Sequence, residues 1–494
     1  MDTSKNFALL TVVACAFLAF FTVLFIDFLP TSLGGYAYQR FELLALSGFL
    51  VFLPVGFYVL RPYPMSLAVL APTIILSVGF LFLSFVHGSK PYAWVEPGMY
   101  VFFFLAMVTG GAWVAAEGSA AGFMRYLLLI IVVCCAMYGF ATINVYLFAL
   151  FDRVVNLVNF IPWGFVNIRY WSHIATWCLP LMPLAVLVGP VRDNRLWRMG
   201  VLLGAGLWWW ILILTTSRGS ALGIAFGALV VLLLFRRRAL SWLKVFVAYI
   251  LAGVVIWALL SVFIPSLIAD EVQIRSIKMD SSGRMPLFIE AWAMSLQNFP
   301  LGMGPQSWLT HDILTDAYAQ SKHLGHPHNM YLMWAAEYGW FLIGLLGLVV
   351  AQAIRYFWIK RAELFAEGNN EQTLMLVGLT ASVSAALFHA GVSAVFMAPG
   401  SMLIGLFVLV AFWALIIPKA ITDELPAEHR RMAFFRKGLG AIVFFALLVL
   451  WLLWMSEVRL YFDDMQQDEQ TYSEEVGEGT LPRFWLHGNF PRSS

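Results

Sequence analysis

Charge is what this sequence has least of. Asp, Glu, Lys and Arg make up only 12% of the 494 residues, where a soluble domain is nearer about a quarter, and 61% of the chain is hydrophobic. That scarcity excludes an ordinary soluble enzyme. The net charge of +2 is spread over loops and gives no basis for binding nucleic acid. Cysteine is equally sparse. Cys15, Cys134, Cys135 and Cys178 all fall inside apolar runs, so they form neither a disulfide framework nor a metal-ligand spacing. Walker, paired-cysteine and HxxEH-type patterns are missing, as are internal repeats and low-complexity tracts.

What the chain has instead is long apolar runs, with a mean hydropathy of +0.81. Runs of roughly 20 apolar residues suit membrane-crossing helices, and their continuity excludes the short alternating segments of an outer-membrane barrel. The sequence therefore predicts an all-α polytopic membrane protein with about 13 transmembrane helices. The expected spans are residues 7–29, 41–60, 64–86, 98–116, 123–150, 173–191, 199–216, 219–235, 242–264, 329–352, 372–398, 400–417 and 438–456. The first run is too long for a cleaved signal peptide.

An odd number of spans puts the termini on opposite sides. A cytoplasmic N-terminus gathers Arg192, Arg195, Arg198, the Arg236–Arg238 run, Arg430, Arg431, Arg436 and Lys437 on the inside, as the positive-inside rule requires. The chain then divides into residues 1–172 (five helices and an outer loop), 173–264 (four helices), a long outer loop at 265–328, helices at 329–456, and an acidic outer tail at 457–494. Within the long loop, SSGRMPLFIEAWAMSLQNF reads as a helix. Ser281 or Ser282 serves as its cap, Pro286 lies in its first turn, and Leu287, Trp292 and Leu296 recur near helical spacing. Such a helix would lie on the membrane surface or cover a cavity.

Several residues on the expected outer face could do chemistry. In GHPHNMYLMWAAEYGW, Asn329 is a favoured helix cap at the start of a span. A helix N-terminus disfavours imidazolium, so His328 there suits a neutral base, and the same helix end offers N–H groups to an anion. Packing of His326 and His328 at the interface remains an equal reading. In TTSRGS, Arg218 stands at a helix N-terminus, the unfavourable end for a cation. Either it snorkels to the surface or an anion sits beside it, with Gly219 letting the backbone approach. Arg284, at the start of the loop helix, and Arg169 are further cations suited to bidentate phosphate binding, although interfacial anchoring is the favoured reading of Arg169. Glu337 is the one acid well inside an expected span, a candidate to orient a basic partner or a helix end. His389 reads as a satisfied interior histidine, and Asp463–Asp464 as part of a solvated acidic run. The nearly uncharged midplane disfavours an ion-coupled transporter.

TTSRGSALG before a span, SGR…W followed by NFPLGMGP, and HPHNMYL…AEYG resemble the O-antigen ligase and polymerase superfamily, which also includes bacterial protein O-oligosaccharyltransferases. The likeness runs from about Arg169 to Gly339 with its motifs in order. It implies a GT-C-like bacterial inner-membrane enzyme that is an inverting glycosyltransferase needing no metal or other cofactor. Its donor would be an undecaprenyl-diphosphate-linked glycan, and its acceptor lipid A-core or another glycan. Carried over by motif, Arg218 and Arg284 would hold the diphosphate and His328 would activate the acceptor hydroxyl. His326 would act as a second positioner, Arg169 would touch a phosphate or sugar, and Asn329, Glu337 and Gly219 would support the site. Leu342 departs from the ligase pattern after Gly339, which favours a polymerase. The thirteenth span and the acidic tail add to the usual twelve-span core, and the tail is too short for the large domain of some protein-glycosylating relatives. O-antigen ligase is the leading expectation and polymerase the alternative. A non-enzymatic lipid-linked glycan transporter would have no use for a base such as His328.

Overall fold

The computed structural model describes residues 3–60, 67–88, 92–154, 161–268, 283–321, 324–418, 430–476 and 483–486. Ser281 and Ser282 lie outside them. The described residues are helical, with no strand among them. The helices are α1 (Thr3–Phe25), α2 (Gly35–Leu60), α3 (Leu67–Val86), α4 (Val95–Ala116), α5 (Ala120–Phe151), α6 (Ile168–Cys178), α7 (Leu184–Leu187), α8 (Arg195–Thr215) and α9 (Arg218–Phe235). They continue with α10 (Leu240–Trp257), α11 (Ile264–Ile268), α12 (Arg284–Gln297), α13 (Asp316–Ala319), α14 (Met330–Ala366), α15 (Asn370–Ala390), α16 (Pro399–Ile416) and α17 (Arg430–Val476).

Eleven helical stretches among the described residues are long and apolar enough to cross a membrane, so this is a multi-pass membrane protein. Two local features account for the difference from thirteen. One of the eleven, Arg218–Leu267, contains both α9 and α10, which are separated by a tight turn with Arg236 at φ +50°. The expected span 173–191 is instead broken. α6 stops at Cys178, turns carry Leu179–Pro183, and α7 lasts four residues. Pro180 and Pro183 remove two amide donors there, and the helix gives way to turns although the segment is apolar and buried. The long final helix is a further difference. α17 runs 47 residues, about 70 Å at 1.5 Å per residue, so the tail expected from Glu457 continues as helix to Val476.

The chain forms two compact units. The first comprises Met1–Gly35, Ser119–Met279 and Arg361–Phe412. In it α9 packs along α15, and α8 packs along α10. Small residues let these backbones meet. A Cβ on Gly223 would lie 2.7 Å from the Ala385 carbonyl oxygen, and one on Gly206 would lie 2.8 Å from Ile256. The second unit comprises Tyr36–Gly118, Asp280–Lys360 and Trp413–Ser494. There α3 packs on α4, and Trp451 of α17 fills the space beside Gly48 of α2.

Within the second unit α14 is two helices in one. Gly339, at φ +76° and ψ 170°, breaks it after Tyr338. The break frees backbone groups, and the loop takes them up. Met303 N–H donates to Ala336 O (2.9 Å), Gly304 N–H to Glu337 O (2.8 Å) and Phe341 N–H to Pro300 O (3.0 Å). Two glycines permit this stitch. A Cβ on Gly302 (φ +74°) would come within 2.8 Å of the Glu337 carbonyl, and one on Gly339 within 2.6 Å of Gly302 N. The glycines of NFPLGMGP and AEYG therefore meet backbone to backbone.

Candidate functional site

The stretch HPHN forms a turn. His328 is in the left-handed region (φ +57°), an uncommon place for a side chain with a Cβ. His326 holds it there. Its Nδ1 accepts the His328 backbone N–H at 3.1 Å, and the two rings lie 4.1 Å apart, edge to face. Since Nδ1 accepts, a neutral His326 carries its proton on Nε2. Both histidines are buried, His326 at 8% and His328 at 6% exposure. Asn329 then caps α14. Its side-chain oxygen accepts from Tyr331 N and Leu332 N, each at 3.1 Å, and its carbonyl accepts from Met333 N.

Arg284 is the first residue of α12, half-buried, with Gly283 (φ +67°) before it. The apolar residues of α12 divide between two faces. Leu287, Ala291 and Met294 pack with Trp308, Tyr318 and Ala336, whereas Met285, Ile289, Trp292 and Leu296 are exposed. Leu287 thus lies on the opposite face from Trp292 and Leu296, correcting the single stripe expected from spacing. Trp292 stacks edge-on against Trp340, whose indole N–H donates to Ser295 (3.2 Å), so α12 is fastened to α14.

Two buried acids organise the loop around α12. Glu290, fully buried, accepts from His311 Nε2 (2.9 Å), from Leu314 N–H (2.7 Å) and from the Thr315 hydroxyl. His311 Nδ1 faces the Trp308 carbonyl at 3.0 Å, so both ring nitrogens face acceptors. The nearby Tyr318 hydroxyl is pushed up to about 12 by burial and by the Glu290 charge. The second acid, Glu337, accepts the Trp308 N–H at 3.1 Å with one oxygen and pairs with Arg483 through the other. Arg483 also reaches Glu96 at 3.2 Å.

Arg218, Gly219 and Arg169 belong to the other compact unit. Thr216, at φ +50°, turns the chain from α8 into α9, which starts at Arg218. Below Arg218 runs a network of hydroxyls and imidazoles. Ser220 donates to Ser172 O (2.7 Å) and bonds Thr176, and Thr176 meets His389 Nδ1 at 2.9 Å. His173 Nε2 lies 2.7 Å from Ser393, with its ring 5.0 Å from that of His389. A Cβ on Gly219 would sit 2.9 Å from His389 Nε2, so this glycine lets His389 pack against the start of α9. Arg169 is exposed at the first turn of α6, capped by Asn167 and one turn before His173.

Reasoning from sequence missed Arg483, Glu96, Glu290 and His311, whereas His389 is the buried, hydrogen-bonded interior histidine it was read to be. Glu96 belongs to α4 because that helix begins at Val95, three residues before the expected span. All four cysteines are buried, and no cluster of three His, Cys, Asp or Glu suited to a metal occurs among the described residues.

The stretch that contains Arg218, α12, the glycine stitch and the His326–Asn329 turn coincides with a known domain. Residues 202–348 match the family model described as O-Antigen ligase. That match supports the O-antigen ligase superfamily for this stretch of the chain. No curated protein compared with the chain matches it. Superfamily members of this kind are glycosyltransferase-like membrane enzymes of the ligase and polymerase type.

Proposed function

We propose that the protein is an inner-membrane O-antigen ligase. It moves a glycan from undecaprenyl diphosphate to a hydroxyl of lipid A-core on the periplasmic face. The reading rests on the turn at His328, where an imidazole is held in a left-handed backbone conformation at a capped helix N-terminus inside the O-antigen ligase domain. Such a helix end favours the neutral imidazole, which can take the proton of the acceptor hydroxyl. The hydroxyl oxygen then attacks the anomeric carbon from the face opposite the diphosphate. The carbon–oxygen bond to the diphosphate breaks, and the bonding pair leaves with undecaprenyl diphosphate. The configuration is inverted. Arg218 and Arg284 stabilise the charge that builds on the leaving group, each guanidinium offering a fork of donors. With two cations in that role the transfer needs no metal, and it should persist in EDTA.

Leu342, which is buried where the ligase pattern has a different residue, favours a second reading, a polymerase that extends the lipid-linked chain. Deleting the gene and resolving surface lipopolysaccharide on a gel separates the two. Loss of every capped band with accumulation of lipid-linked glycan supports the ligase. Retention of a single-repeat band supports the polymerase, and an unchanged profile overturns both. For the donor site, Arg218→Ala and Arg284→Ala should each weaken binding of a diphosphate lipid by about 1.5–3 kcal/mol. Wild-type affinity in both would overturn their assignment.

A further inference from the structure

The segment Arg483–Leu486 returns into the second compact unit. Arg483, Phe484 and Trp485 are buried there. Their backbone is received by α2. The Tyr36 hydroxyl donates to Arg483 O at 2.6 Å, and Arg40 Nε to Phe484 O at 2.9 Å. The Arg40 guanidinium also lies 4.8 Å over the Phe484 ring, and Trp485 packs on Phe41 and Phe462 at 4.9 and 5.0 Å. This is a built receptor for a particular piece of chain.

What it delivers is one guanidinium between two buried carboxylates. Burial opposes the charge of Arg483, but Glu337 and Glu96 outweigh it and hold the group well above the usual arginine value. Glu337 passes the constraint on. Its other oxygen holds the Trp308 N–H. Trp308 in turn packs on Leu287, Ala291 and Met294 of α12, the helix that Arg284 opens. The Trp308 indole N–H donates to Leu324 O at 2.7 Å, two residues before His326. One tryptophan therefore locates both Arg284's helix and the approach to the histidine turn, and Glu337 fixes its backbone.

We propose that Arg483 is a positioning residue for glycan transfer. By pairing with Glu337 it fixes Trp308, and through Trp308 the relative placement of Arg284 and His328. The C-terminal segment is thus part of the catalytic unit. This rests on the reading of Arg284 and His328 given above.

The test uses the full-length protein purified in detergent, with Arg483→Met and Arg483→Lys. Amide exchange over residues 303–309 should rise in Arg483→Met and stay as in wild type over α8, which lies in the other unit. Turnover of an undecaprenyl-diphosphate-linked glycan should fall on the order of 10- to 100-fold, as expected for misplacement of reacting groups. The donor KM should rise by less than kcat falls, because Arg284 is displaced and not removed. Arg483→Lys, which keeps the charge but not the fork that reaches both carboxylates, should recover only part of the turnover.

Faster exchange with unchanged kcat would overturn the proposal, as would a rise in KM equal to the fall in kcat. If Arg483→Met does not fold, Arg483→Lys decides. A partial loss of kcat that exceeds any rise in KM supports positioning, and wild-type kcat overturns it. Should the wild-type protein transfer no glycan, the functional reading fails. The exchange at 303–309 would still report whether Arg483 holds Trp308.

Discussion

His389 and Glu337 fasten two helices with opposite chemistry. In the first unit, α9 begins at Arg218 over hydroxyls and imidazoles, with His389 resting on Gly219 and bonded to Thr176. In the second, the helix that His328 precedes is secured by carboxylates and a guanidinium, with Glu337 between Trp308 and Arg483. The neutral network joins side chains of α6, α9 and α15, helices that already pack against one another, so modest hydrogen bonds suffice. The charged network must hold a loop and a returning C-terminal segment. Its elements come from distant parts of the chain, and a buried ion pair has the strength and directionality to bind them. It is also the more fragile arrangement, since a buried charge that loses its partner is costly.

The largest expected effect concerns chemistry. His328→Ala should lower transfer by about 10²–10⁴-fold while donor binding persists, and single-turnover assays with unchanged rates would remove His328 from the mechanism. Next is the charged tether. Glu337→Ala leaves Arg483 with one carboxylate and Trp308 without its acceptor, and should destabilise the protein by about 3–5 kcal/mol in denaturant unfolding. Thr176→Val deletes a hydroxyl from the neutral network at nearly constant shape, and should cost only about 1–2 kcal/mol. Equal losses in these two variants would break the comparison between the units. The smallest effect should come from His326→Asn, whose amide oxygen can still accept the His328 N–H. It should retain turnover within about tenfold of wild type and exceed His326→Ala, and equal rates in the two variants would show that the acceptor is immaterial.

Much of the helix pattern was legible in the sequence because hydropathy reports composition. The expected spans 98–116, 123–150, 199–216 and 400–417 differ from α4, α5, α8 and α16 by a few residues. The same signal is blind to backbone breaks inside apolar runs, so it missed the interruption at Leu179–Pro183 and the one at Gly339. The candidate residues around Asn329 were readable because capping is a local rule. The partners of Glu337 were not. Arg483 lies 146 residues away in a stretch with no periodicity, and Glu96 lies 387 residues from Arg483. Charge pairing across such separations leaves no local trace, and a buried arginine looks in sequence like any other residue of a polar tail.

The pairing of Glu96 with Arg483 also sets a clock on biogenesis. Glu96 leaves the ribosome 387 residues ahead of its cation, which at about 5–20 residues per second is a delay of roughly 20–80 s. Throughout that interval the early helices sit in the membrane with an unfinished electrostatic core, which is completed only when Arg483 arrives. A premature stop anywhere in α17 would therefore deliver an assembly that membrane quality control meets with two uncompensated carboxylates, however intact the residues proposed for chemistry.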